Sequence, residues 1–151
     1  PAPTTMNYNE KARTNYFKVK DMDALEHFCK LSQAKLSAQS GDDSSIRQRW
    51  NDDKGLLVAI IAEEGIPPTG FDEELEDDVE IDFCDALCDF LADGEILILK
   101  GNGYEGMDHI TGWATAYDNT GKMVTINIDD IYAKAAKAFD VKENDINRAN
   151  Y

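Results

Sequence analysis

The amino-acid sequence predicts an α+β fold, a single domain with a mostly antiparallel sheet of about five to six strands and three helices on it. Three observations carry this. A chain of 151 residues with 42% apolar content is long enough to bury one core and short for two. Short runs rich in β-branched and aromatic residues are separated by turn-forming sequences, the pattern of strands that pair antiparallel. Stretches beginning at Met22, Phe83 and Ile131 repeat apolar residues at helical spacing, each behind an aspartate suited to cap a helix.

Taken in order, residues 1–14 are polar and without periodicity, so a flexible N-terminal segment is expected there. Pro1–Thr5, ahead of Met6, reads as a remnant of cloning or processing. The domain is assigned to residues 15–145. Tyr16–Val19 reads as a short strand, and Asp21 caps a helix whose apolar positions are Met22, Leu25, Phe28 and Cys29. After a polar loop at 40–45, Ile46–Trp50 and Leu56–Ala62 flank Asn-Asp-Asp-Lys-Gly, which predicts a hairpin. Its second arm is apolar on both faces and should lie centrally in the sheet. Pro67-Pro68 then opens an irregular excursion running to Glu80.

Asp82 caps a predicted helix, Phe83–Ala92, with Phe83, Ala86, Leu87, Phe90 and Leu91 on its apolar face, and Asp93-Gly94 ends it. Glu95–Lys100, His109–Tyr117 and Lys122–Ile128 read as successive strands, the last two joined by the turn Asp118-Asn119-Thr120-Gly121. Thr111, Trp113, Thr115 and Tyr117 share one face of their strand, and Ile110, Gly112, Ala114 and Ala116 the other. Asp129 or Asp130 opens the last helix, Ile131–Phe139, with Ile131, Ala135, Ala138 and Phe139 on one face.

The formal net charge of −15 is concentrated in one place. Gly55–Leu99 contains Glu63, Glu64, Asp72, Glu73, Glu74, Glu76, Asp77, Asp78, Glu80, Asp82, Asp85, Asp89, Asp93 and Glu95 and no Lys or Arg, whereas the two flanks are nearly neutral. Residues 63–95 therefore read as an acidic loop-helix insertion. A field of this sign repels nucleic acid and anionic membranes as direct ligands, so the expected partner is a protein with a basic surface. Asp82, Asp85, Asp89 and Asp93 recur at i, i+3, i+7 and i+11, one stripe of the predicted helix. No lysine is interleaved, although Glu-to-Lys pairs would relieve the repulsion. The simplest reading of such a run is a solvated face. The candidate partner-binding residues are Asp72, Glu73, Glu74, Glu76, Asp77, Asp78 and Glu80 in the loop and Asp82, Asp85, Asp89 and Asp93 on the helix.

No catalytic signature accompanies them. The acidic run lacks the glycine and glutamate spacing of an EF-hand. Cys84 and Cys88 stand at a spacing two metal ligands could share, but with Cys29 they fit buried, reduced thiols better. Gly101–Gly106 joins two strands and reads as a flexible turn, a poor phosphate cradle. The expectation is a non-enzyme without cofactor or metal. No apolar run is long enough to span a membrane and no signal peptide pattern opens the chain, which points to the cytoplasm.

Gly112-Trp-Ala-Thr-Ala-Tyr-Asp-Asn-Thr-Gly121, Ile126-Asn-Ile-Asp-Asp-Ile-Tyr132 and Asn15-Tyr-Phe-Lys-Val-Lys-Asp21 resemble small acidic open reading frames of phages and mobile elements, over roughly half of the chain. Proteins of that setting and charge include DNA-mimic antirestriction proteins and anti-CRISPR inhibitors. The resemblance brings no catalytic motif and no site residues. It implies an anti-defence inhibitor in the host cell cytoplasm, whose acidic surface takes the basic DNA- or RNA-binding site of a defence effector or nuclease. An immunity protein or antitoxin neutralising a basic nuclease toxin would use the same physics, and a neighbouring toxin gene would distinguish it. The alternative from another class is a small metal-dependent hydrolase built on Asp108, His109 and the acidic loop. A homodimer is compatible with every one of these readings.

Overall fold

In the computed structural model, which describes residues 8–41, 43–105 and 109–149, the chain begins its sheet early. Strand β1 (Tyr8–Thr14) pairs antiparallel with β3 (Val58–Ala62), Ala12 opposite Ala62, and with β6 (Leu97–Glu105), Thr14 opposite Leu99. The expected flexible segment 1–14 is thus corrected for residues 8–14, while residues 1–7 lie outside the described residues. Ala12 and Thr14 are buried while Lys11 and Arg13 are exposed. A strand with so few apolar residues shows no hydrophobic signal, and ladder hydrogen bonds from both neighbours hold it.

The main sheet has the order β2-β3-β1-β6-β7-β8, with β2 at Lys35–Ala38, β7 at His109–Tyr117 and β8 at Met123–Asn127, and every neighbouring pair is antiparallel. A separate two-stranded sheet joins β4 (Thr69–Asp72) to β5 (Asp77–Glu80). The helices are α1 (Met22–Ser32), α2 (Ile46–Asp52), α3 (Phe83–Cys88) and α4 (Asp130–Phe139). The fold is α+β and antiparallel, with a six-stranded main sheet, as the sequence predicts.

Several elements differ from expectation for local reasons. Tyr16–Val19 is reduced to isolated bridges, Phe17 to Val58 and Val19 to Leu91. Ile46–Trp50 is not a strand: it lies in α2, where Ile46 is buried and the Trp50 indole N–H donates to the Val19 carbonyl at 3.3 Å. The intervening Arg-Gln-Arg favours helix, and the i, i+4 spacing of Ile46 and Trp50 places both on one helical face. Helix α3 stops at Cys88 instead of Ala92, because the chain is captured by residues 18–20: Lys20 N–H donates to Phe90 O (2.8 Å) and Ala92 N–H to Lys18 O (3.0 Å). Gly101–Glu105 belongs to β6 and is not a flexible turn. A Cβ at Gly101 would lie 2.3 Å from Cζ2 of Trp113, so this glycine makes room for the indole.

Helices α1 and α3 cover one face of the sheet. Phe17, Met22, Leu25, Val58, Ile60, Phe83, Leu87, Leu91 and Leu97 are buried in that core. Phe28 stacks at 5.5 Å from Phe83 and 5.4 Å from Phe90, tying α1 to α3. Asp21 caps α1 as expected, accepting from Ala24 N–H at 3.2 Å. Residues 118–121 form the expected turn, with Gly121 at φ +88°. The opposite sheet face, carrying Lys11, Arg13, Lys100, Ala114 and Ile126, is open, and α4 buries none of its residues.

The cysteines are packing residues. Cys29 and Cys88 are buried, and Cys84 packs against Ala12, Ala62 and Leu99. Burial, with Glu26 nearby, pushes the Cys29 thiol up to about 12, and burial with Asp85 and Asp89 pushes Cys88 up to about 11. A bulky maleimide at pH 8 should therefore react slowly with the native protein and fast in denaturant. A thiol raised above its ordinary value of 9.0 stabilises the fold fully below that pH and loses its contribution as pH rises through the folded value. Thermal melts should accordingly fall between pH 9 and about 12. Rapid alkylation of the native protein would mean that the thiols are accessible.

Candidate acidic interaction surface

The acid run that the sequence leaves irregular is a β-hairpin. Asp72 pairs opposite Asp77, Phe71 opposite Asp78 and Thr69 opposite Glu80. The turn is built from its own acids: Asp72 Oδ1 accepts from Glu74 N–H (2.9 Å) and Leu75 N–H (3.2 Å), Glu76 adopts a left-handed φ of 52°, and Asp77 Oδ1 accepts from Asp78 N–H (2.8 Å). Carboxylates at seven of the twelve positions from Thr69 to Glu80 mask the strand alternation, which explains why periodicity does not reveal these strands.

Like charges placed directly opposite destabilise a sheet, so tertiary contacts must hold the hairpin. They come from α1. Gly70 lies against its last turn, where an added Cβ would come within 2.5 Å of the Leu31 carbonyl oxygen. Phe71 lines a small hollow together with His27, Lys30 and Leu31 of α1. Lys30 Nζ lies 3.4 Å from Glu73 Oε1, the one ion pair reaching residues 55–99 among the described residues. Both side chains are well exposed, so this pair contributes little. Glu73, Glu74, Glu76, Asp77, Asp78 and Glu80 are exposed and Asp72 is half-buried. Asp78 and Glu80 point to one side of β5 and Asp77 to the other, so neither face of the hairpin is neutral.

The helical stripe is shorter than expected. Asp82 caps α3, its Oδ1 accepting from Asp85 N–H at 3.2 Å. A side-chain hydrogen bond with Asp82, and then the charge of Asp82, push the Asp85 carboxyl above its ordinary value. Asp89 is the C-cap, where a carboxylate faces the negative end of the helix with no basic residue in the last turn. Asp93 lies beyond the helix and accepts from Asn119 Nδ2 at 3.1 Å. Asp82, Asp85, Asp89 and Asp93 are all exposed, but only Asp85 lies within α3. Glu95 is structural, its Oε1 accepting from Lys18 N–H at 2.7 Å.

Charge reasoning alone misses two residues. Leu75, at the hairpin tip between Glu74 and Glu76, is 67% exposed, and Phe71 is 43% exposed. Their signal in the sequence is an apolar residue inside an acid run that belongs to no periodic face. They give the acidic hairpin apolar contacts of the kind that anchor protein interfaces.

Of the hydrolase alternative, Asp108 lies outside the described residues, as does the side chain of His109. Among the described residues, no group of three or more His, Cys, Asp or Glu is arranged to hold a metal ion, and no helix is long and apolar enough to cross a membrane. Comparison of the chain with family models, with curated proteins and with solved structures finds no match in any of the three.

Proposed function

We propose that this protein is a non-enzymatic inhibitor whose acidic hairpin and α3 bind the basic nucleic-acid site of a target protein. One observation supports this most: carboxylates without interleaved bases are held on ordered backbone, including the opposed pair Asp72 and Asp77, at a cost to stability that a solvated loop would avoid. Fixed charges lose less freedom on binding than an acidic tail, and they steer a basic partner to the site. Exposed Leu75 and Phe71 favour a protein as the thing bound. The setting implied by the resemblance makes a defence effector or nuclease the target, and the host cytoplasm the place of action.

The test is mutual exclusion. A target isolated from host lysate at low salt, then loaded with its own DNA or RNA, should refuse this protein, and the reverse order should exclude the nucleic acid, with equal coupling in both directions. Affinity should fall at least tenfold between about 50 and 500 mM salt as the Debye length shrinks below about 10 Å. A ternary complex in which the target is still inhibited would place the action at a second site and end the mimicry proposal. Salt-independent binding would move the contact to apolar surface.

A further inference from the structure

Two unpartnered apolar surfaces lie at the carboxy-terminal end of the fold. The first is the open face of the sheet. Strand alternation turns Ala12, Leu97 and Leu99 into the core, which leaves Ile61, Gly112, Ala114, Ile126 and Ile128 lining a shallow hollow of about 730 Å³ on the other side. Gly112 and Ala114 keep its floor low. Ile126, although apolar, is 59% exposed. The second surface is α4, whose Ile131 is 59% and Phe139 74% exposed on the stripe that also holds Ala135 and Ala138. The helix packs against its own tail, where Tyr132 Oη accepts from Ala149 N–H at 2.6 Å and lies under Arg148, and none of its residues lines the hollow.

We propose that these two surfaces meet between two copies of the chain: α4 of each lies in the sheet hollow of the other. The dimensions agree. The hollow runs from β3 across β1, β6 and β7 to β8, four strand spacings or about 19 Å, long enough to take the whole of a 10-residue helix of about 15 Å. The charges agree as well. Lys11, Arg13 and Lys100 outnumber Glu63 around the hollow, and α4 carries Asp129 and Asp130 at its start and Asp140 at its end, so acid meets those bases in either helix direction, while at about 100° per residue Lys134 flanks the apolar stripe and Lys137 stands on the far side of the helix. A single short helix buries little, but the twofold arrangement doubles the contact, towards the roughly 1,200–2,000 Å² of a specific interface. Exposed apolar side chains gathered on one surface mark contact sites in soluble proteins.

The whole chain is tested by sedimentation equilibrium or light scattering at about 10 to 100 μM, with salt raised from about 50 to 500 mM. The expected species is twice the 16.9 kDa chain mass. It should tighten with salt, because two copies of charge −15 repel until screened, opposite in sign to the expected partner binding. Phe139→Lys and Ile126→Asp should each weaken the dimer at least tenfold. Both sites are exposed, so unchanged thermal melts of the monomeric species are the check on folding. Met123→Asp, on the other face of β8, should leave the dimer intact. A monomer under all these conditions overturns the proposal. So does a dimer that survives both Phe139→Lys and Ile126→Asp, or one lost with Met123→Asp, which would place the contact at the free edge of β8.

Discussion

Phe83→Ala should lower the stability of the fold by about 3–5 kcal/mol, the range for removing a fully buried aromatic ring. Phe83 is 2% exposed, opens α3 directly behind its Asp82 cap, and stacks 5.5 Å from Phe28 of α1. It therefore joins the acidic segment to the element that also carries the hairpin. A domain of this size has about 5–15 kcal/mol in total, and self-repulsion at a net charge of −15 lowers that figure. Urea unfolding should show a lower midpoint at unchanged slope, and the melting temperature should drop by about 10 °C or more. A loss below about 1 kcal/mol would mean that the site has collapsed around the cavity and that α3 is not held by this ring.

How much of this was legible follows from where apolar periodicity survives. Asp21 with Met22, Leu25, Phe28 and Cys29 predicts the start and the buried face of α1, and the Asp118–Gly121 turn places β7 and β8. Both signals are local: a cap bonding its own helix, and a turn bonding itself. Strand β1 could not be read this way, since Lys11 and Arg13 alternate with Ala12 and Thr14 and its pairing comes from residues about fifty and ninety positions later. The hairpin was hidden by the acids that make it interesting. Their exposure followed from composition, but the opposition of Asp72 to Asp77 and the presentation of Leu75 depend on docking against Leu31, which no local pattern encodes. The stripe from Asp82 to Asp93 was half legible: its cap was right, and its length failed where residues 18–20 captured the chain.

Asp85→Lys combined with Asp89→Lys should weaken binding to the target at least a hundredfold while leaving the fold as stable as before or more so. The two changes shift the acidic surface by four charge units, enough to turn attraction for a basic site into repulsion. Neither side chain faces the core, and both are exposed. Replacing Asp85 removes its repulsive contact with Asp82, and a lysine in place of Asp89 puts a cation at the negative end of α3. The pH profile provides an independent check. Asp85 has a folded value above its ordinary 3.8, so its contribution to stability is complete below 3.8 and is lost as pH rises through the folded value; the wild-type protein should gain stability as pH falls from neutrality towards that value. Asp118 acts oppositely. The Thr120 hydroxyl holds its carboxyl below 3.8, so its contribution is present above that pH and is lost only as pH falls through the lowered value. The double substitution should therefore flatten the gain above pH 3.8 and leave the acid limb below it unchanged. If the variant unfolds, these aspartates are structural. If it folds and binds as tightly as wild type, α3 is not part of the contact and the hairpin with Leu75 carries the interaction alone.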